Sequence, residues 1–93
     1  MAIQSFKCNL TQKLFEGEQP KRFKNIETVA TRKLQMLDST VDLKDLRAPP
    51  AKRLEALKGN REGQHSIRIN DQWCVCFRWV DAGATDVEIV DYH

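Results

Sequence analysis

The sequence predicts an α+β fold in which a small antiparallel sheet carries helices on one face. Three observations lead there. Between Gly63 and Trp79, and again from Asp86 to His93, runs rich in β-branched and aromatic residues are broken by Asn70-Asp71 and by Asp81-Ala82-Gly83-Ala84. This pattern reads as three consecutive antiparallel strands forming a meander. Within the middle run Trp73, Val75, Phe77 and Trp79 share one face, and Cys74, Cys76 and Arg78 share the other, because strand side chains alternate. Upstream, Ile26, Val29, Ala30, Leu34 and Leu37 recur at the spacing of one helical stripe and supply the apolar cover that the aromatic face needs. The Cys74/Cys76/Arg78 face is then expected to be a half-open, polar floor.

The remaining elements follow in order. Ile3-Gln4-Ser5-Phe6 is short and apolar enough to be an edge strand. Asn9 is placed to cap a short helix with Leu10, Leu14 and Phe15 on one side, and Gly17 to end it in a left-handed conformation. Pro20 and Lys21-Arg22-Phe23-Lys24 form a basic connector, after which Asn25 is expected to cap the main helix. From Ser39 to Ala56 the periodicity is lost, and Pro49-Pro50 forbids a regular helix across the centre. That segment reads as a basic surface loop carrying Lys44, Arg47, Lys52 and Arg53. It leads into a short extended stretch at Leu54-Glu55-Ala56-Leu57-Lys58 and a glycine-flanked turn at Gly59-Asn60-Arg61-Glu62-Gly63. The expected order is β-α-α-loop-β-β-β-β.

Ninety-three residues, 41% hydrophobic and 30% charged, suit one hydrophobic core and one domain. No apolar run approaches the roughly 20 residues of a membrane span, and the first residues lack the apolar core of a signal peptide. A cytoplasmic location is the expectation, and three cysteines, an odd number, agree with a reducing compartment rather than a disulfide framework. The net charge of +2 is unevenly spread: residues 1–68 carry fourteen Lys/Arg against eight Asp/Glu, whereas residues 69–93 carry one against five. The basic first part hints at a polyanionic or acidic partner.

The run from Leu57 to Ile67, then Asn70-Asp71-Gln72-Trp73, and then Val87-Glu88-Ile89-Val90-Asp91-Tyr92-His93 closely resembles the HigB toxins of the RelE/ParE superfamily. The likeness extends to Ser5-Phe6 and to Lys33-Leu34-Gln35-Met36-Leu37-Asp38. It implies a single RelE-like toxin domain over residues 1–93, with helices on one face of an antiparallel sheet and an RNA site on the other. It further implies a toxin of a type II toxin-antitoxin system that cleaves mRNA in the ribosomal A site and is neutralised by a HigA-type helix-turn-helix antitoxin. In that chemistry a base removes the ribose 2′-OH proton, the oxyanion attacks the adjacent phosphate, and an acid protonates the leaving 5′-oxygen. Cations stabilise the charge that develops. No metal or cofactor is required, because the nucleophile belongs to the substrate.

Carried over by position, His93 is the acid/base candidate, since an imidazole of ordinary pKa near 6.5 suits proton transfer at neutral pH. Tyr92 would stack on a nucleotide or donate its hydroxyl, and Asp91 would orient a neighbour or pair with Arg61. Lys58 would contact the scissile phosphate. Arg61, Arg68, Arg78, Lys52 and Arg53 would bind RNA. Glu55 stands where a carboxylate could serve as general base if its pKa were raised or a partner were close. Against each role stands a bland one: a frayed terminus for His93, packing for Tyr92, solvated surface charges for Lys58 and Glu55, a turn brace for Arg61.

One departure matters. Relatives usually carry an arginine directly after the aromatic residue at Trp73, where a guanidinium fork could hold the phosphate; here that position is Cys74. Loss of one preorganised charge contact commonly costs about 10²–10³ in rate. The chain therefore fits an attenuated toxin, a variant compensated by Lys58, Arg68 or Arg78, or a substitution introduced so that a lethal protein can be made. Cys74 and Cys76, with His65 and His93, also offer ligand types for zinc, although the Cys-x-Cys spacing on a strand is poor for a structural site. The other reading is a non-catalytic module that binds the ribosome or its antitoxin.

Overall fold

The apolar runs of the last third do form consecutive antiparallel strands. The computed structural model describes residues 2–43, 54–56, 63–81 and 83–91, with backbone alone for 54–56. Two helices, α1 (Asn9–Phe15) and α2 (Glu27–Asp38), flank a 3-10 turn at Lys21–Phe23. The strands β1 (Leu54–Ala56), β2 (Gln64–Arg68), β3 (Trp73–Val80) and β4 (Gly83–Asp91) follow. They pair in sequence order, β1-β2-β3-β4, every neighbour antiparallel. The short extended stretch expected from Leu54 joins the meander as β1, pairing with β2. Most of the basic loop and of the Gly59–Gly63 turn lie outside the described residues.

Register sets the two faces. Ile67 stands opposite Val75, which stands opposite Ile89, and with Phe77 and Val87 these side chains are buried against the helices. Trp73, Trp79 and Ile69 are partly buried and pack at the margins of the same core. From α2 come Ala30, Leu34 and Leu37, preceded by Ile26. Val29 was expected in this stripe but is 38% exposed. It lies on the flank of the 26-30-34-37 line of the helix. Neither asparagine caps its helix. The N-cap residues are Cys8 and Ile26, without side-chain cap bonds. Burial of Ile26 in the core fixes where α2 begins, and Asn25 falls in the turn before it.

Gly17 does end α1 in a left-handed conformation, at φ +99. The first segment approaches the sheet as two isolated bridges, Ile3 to Ala84 and Phe6 to Val87, parallel to β4 rather than as a continuous strand. Its backbone is tied at both sides: Ala2 N–H donates to the Asp38 carbonyl at 2.6 Å, and Ala84 N–H donates to the Ala2 carbonyl at 2.6 Å. Thr11 then takes over where this pairing stops, its buried hydroxyl accepting the Ile89 N–H at 2.9 Å.

Strand β4 starts three residues earlier than the turn signals suggest, because Gly83 and Ala84 belong to it. A bulge follows, in which Cys76 and Arg78 oppose Glu88 and Thr85, so two steps on β3 face three on β4. Asp86 absorbs the extra residue at φ +53. The consequence is a parity change that lets both Ala84 and Val87 enter the core.

Candidate functional site

The face of the sheet away from the helices is built by register. Across it run three rows: Gln64–Arg78–Thr85, Ser66–Cys76–Glu88 and Arg68–Cys74–Val90. Glu55 of β1 stands opposite Ser66 and so extends the middle row. This is the face the alternation assigned to Cys74, Cys76 and Arg78. It is less open than expected: Gln64, Ser66, Cys74 and Cys76 are 5%, 7%, 4% and 1% exposed. The two thiols converge, with Sγ atoms 3.5 Å apart.

Among the described residues three cations stand around this floor, each beside a carboxylate. At one end Arg68 pairs with Asp71 of the β2–β3 loop and donates from Nε to the Asn70 carbonyl at 3.1 Å. That loop is shaped by Asn70, whose side-chain oxygen accepts the N–H groups of Gln72 and Trp73, both at 2.8 Å. At the other end Arg78 Nε lies 3.9 Å from Asp86 of the bulge. The same guanidinium covers Gly63, where an added Cβ would fall 2.9 Å from it. At the β4 edge Lys7 Nζ lies 3.6 Å from Glu88.

The residues singled out by sequence thus divide. Cys74, Arg68 and Arg78 share one face, and the backbone of Glu55 reaches it. Asp91 stands opposite Trp73 on the helix side, where it accepts a hydrogen bond from Gln72 Nε2 at 2.9 Å. His93, Tyr92, Lys58, Arg61, Lys52 and Arg53 lie outside the described residues. The zinc reading loses one ligand, because His65 stands opposite Phe77 on the helix side, the rings 5.8 Å apart. Among the described residues no group of three His, Cys, Asp or Glu side chains is placed to hold a metal ion. Lys7 and Glu88 were missed. Their signal was parity: with Val87 and Ile89 inward, Glu88 must face the floor, and Lys7 follows Phe6 in the same way.

This fold has relatives. A structure of the YoeB–YefM complex from Staphylococcus aureus superposes with a TM-score of 0.61 over 100% of this chain and 99% of that one, at 18% identity. The structure of YafQ from E. coli gives 0.59 over 97% and 93%, at 13% identity. Helices packed on a small antiparallel sheet are the fold that this chain shares with these RelE-like toxins. The description of HigB-like toxins, RelE-like toxins of type II toxin-antitoxin systems, matches residues 4–93, and the chain belongs to that family. It is 40% identical to Toxin HigB-1 of Vibrio cholerae over 90% of both chains. It is 33% identical to Endoribonuclease HigB of Proteus vulgaris over 66% of this chain and 65% of that one. No helix among the described residues is long and apolar enough to cross a membrane.

Proposed function

We propose that this toxin is a ribosome-dependent mRNA endoribonuclease that cuts by 2′-OH attack on the scissile phosphate. The observation that carries the reading is the family match over residues 4–93, which takes in every candidate catalytic residue, and a relative named as an endoribonuclease supports it. His93 is the general acid for the leaving 5′-oxygen, and Glu55, in register with the floor, is the candidate base. Lys58 and the arginines carry the phosphate charge, with Tyr92 against a base. No metal takes part in this scheme. A HigA-type helix-turn-helix antitoxin is the partner that keeps the toxin tolerable to its cell. The S. aureus relative, whose structure is described as a toxin-antitoxin complex, supports an antitoxin of some kind.

Cys74 places a neutral thiol where an arginine would meet the phosphate, and activity is accordingly low. Induction of the chain as given, of Cys74→Arg and of Cys74→Arg with His93→Ala, followed by growth curves and primer-extension mapping of mRNA cuts, tests this. Cys74→Arg should raise cleavage by about 10²-fold, and His93→Ala should abolish it. Strong cleavage by the given chain with no gain from Cys74→Arg would move the phosphate contact to Lys58 or Arg68. The thiol also favours the second reading, a module that binds ribosome or antitoxin without chemistry; cuts by neither version would establish that one instead.

A further inference from the structure

We propose that Asp71 and Asp86 are exchangeable counter-ions, which hold Arg68 and Arg78 in the absence of RNA and are displaced by RNA phosphates when the strand binds. The inference rests on the RNA-cleaving reading of the same face and adds a device that sets its affinity. Three observations carry it. First, the two arginines stand at opposite ends of the floor, Arg68 on β2 in the row of Cys74 and Arg78 on β3, with the Ser66–Cys76–Glu88 row between them. A strand laid across the floor would meet both. Second, each is already engaged by a carboxylate from a connecting or irregular segment: Asp71 in the β2–β3 loop, Asp86 at the bulge. A carboxylate presents two charged oxygens to a guanidinium much as a phosphate does.

Third, exposure makes the exchange cheap. The Arg68 and Asp71 side chains are 40% and 92% exposed, and those of Arg78 and Asp86 are 42% and 51% exposed. Ion pairs this wet contribute little to stability and break easily. The contrast is Glu88, whose side chain is 13% exposed beside Cys76; its pair with Lys7 belongs to the floor rather than the rim. While the rim pairs last, the arginines are positioned but neutralised. Phosphate binding must then release an aspartate into water, which subtracts from the affinity that the arginines would otherwise give.

The test is the affinity of a labelled 2′-O-methyl RNA oligonucleotide, which 2′-OH attack cannot cut, measured at several salt concentrations. The proteins are the chain as given, Asp71→Asn, Asp86→Asn, the double variant, and Glu18→Gln as a control of equal charge change in the helical layer. Asparagine tolerates the left-handed conformation at position 86, and position 71 is independent of the bulge. Each single variant should bind about 3-fold more tightly and the double about 10-fold. The slope of log K against log salt should steepen by up to about 0.7 for each freed arginine. Unchanged or weaker binding by the double variant, when the given chain binds, overturns the exchange and makes the aspartates mere braces. An equal gain from Glu18→Gln overturns it as well, as an effect of net charge. If no protein in the series shows salt-dependent RNA binding, the RNA reading falls, and the exchange with it.

Discussion

A thiol that is 4% exposed is an unusual place to want an arginine, and Cys74 has Arg68 directly across from it on β2. Cys74→Arg therefore acts in two directions. Its guanidinium must run out over the floor to reach water, and it adds a like charge opposite Arg68, which is unfavourable on a sheet. The expected cost is about 1–3 kcal/mol, from crowding a filled site, read as a lower urea midpoint. Gain of activity with loss of stability is the combination to look for. A variant that is both more active and more stable would mean that the floor is built for an arginine and that Cys74 leaves it underfilled. The position and face of Cys74 were legible from alternation alone. Its burial was not, because it depends on what surrounds a short side chain, and alternation reports only direction.

Among the elements, the meander was legible because alternation is a local property that needs no partner. The bulge was not. Thr85-Asp86-Val87 alternates well enough in sequence, and only the need to bury both Ala84 and Val87 forces the extra residue. The helix caps failed for a similar reason, since Asn25 is a good cap in isolation and Ile26 has a core to enter. The link between α1 and β4 was also invisible, as it joins residues 78 positions apart: the Thr11 hydroxyl accepting from Ile89 N–H in a fully buried setting. Thr11→Val keeps the shape and removes the acceptor, leaving a buried donor unsatisfied at a cost of about 1–3 kcal/mol. Thr11→Ser keeps the acceptor and should cost less. Equal urea midpoints for the two would show that shape, not the hydrogen bond, holds α1 to the sheet.

For the whole molecule, the charge asymmetry between residues 1–68 and 69–93 looked like a message to a partner. In the fold, part of it is answered internally. Asp71, Asp86 and Glu88 come from the acidic segment, and two of the three cations they meet, Lys7 and Arg68, come from the basic one. Linear charge counts could not show this, because the pairing is made by register and by the first segment folding back. The candidate site was legible to the same degree. Its face and Arg78 followed from strand parity and Arg68 from the family likeness, while the meeting of Lys7 with Glu88 needed the pairing of distant segments.

That folding back has a consequence for the order in which the protein is made. Residues 2–7 are held by hydrogen bonds to Ala84 and Val87, so the earliest part of the chain has no β4 to pair with while synthesis is under way. Helices α1 and α2 can form as they emerge, yet the layer they cover is incomplete until β4 arrives, and long-range pairing of this kind forms late. A ribosome-stalled nascent chain ending before β4 should be cut by protease within residues 2–7, and one with β4 outside the exit tunnel should be protected there. A chain built this way stays unfinished on the ribosome that makes it until β4 has emerged.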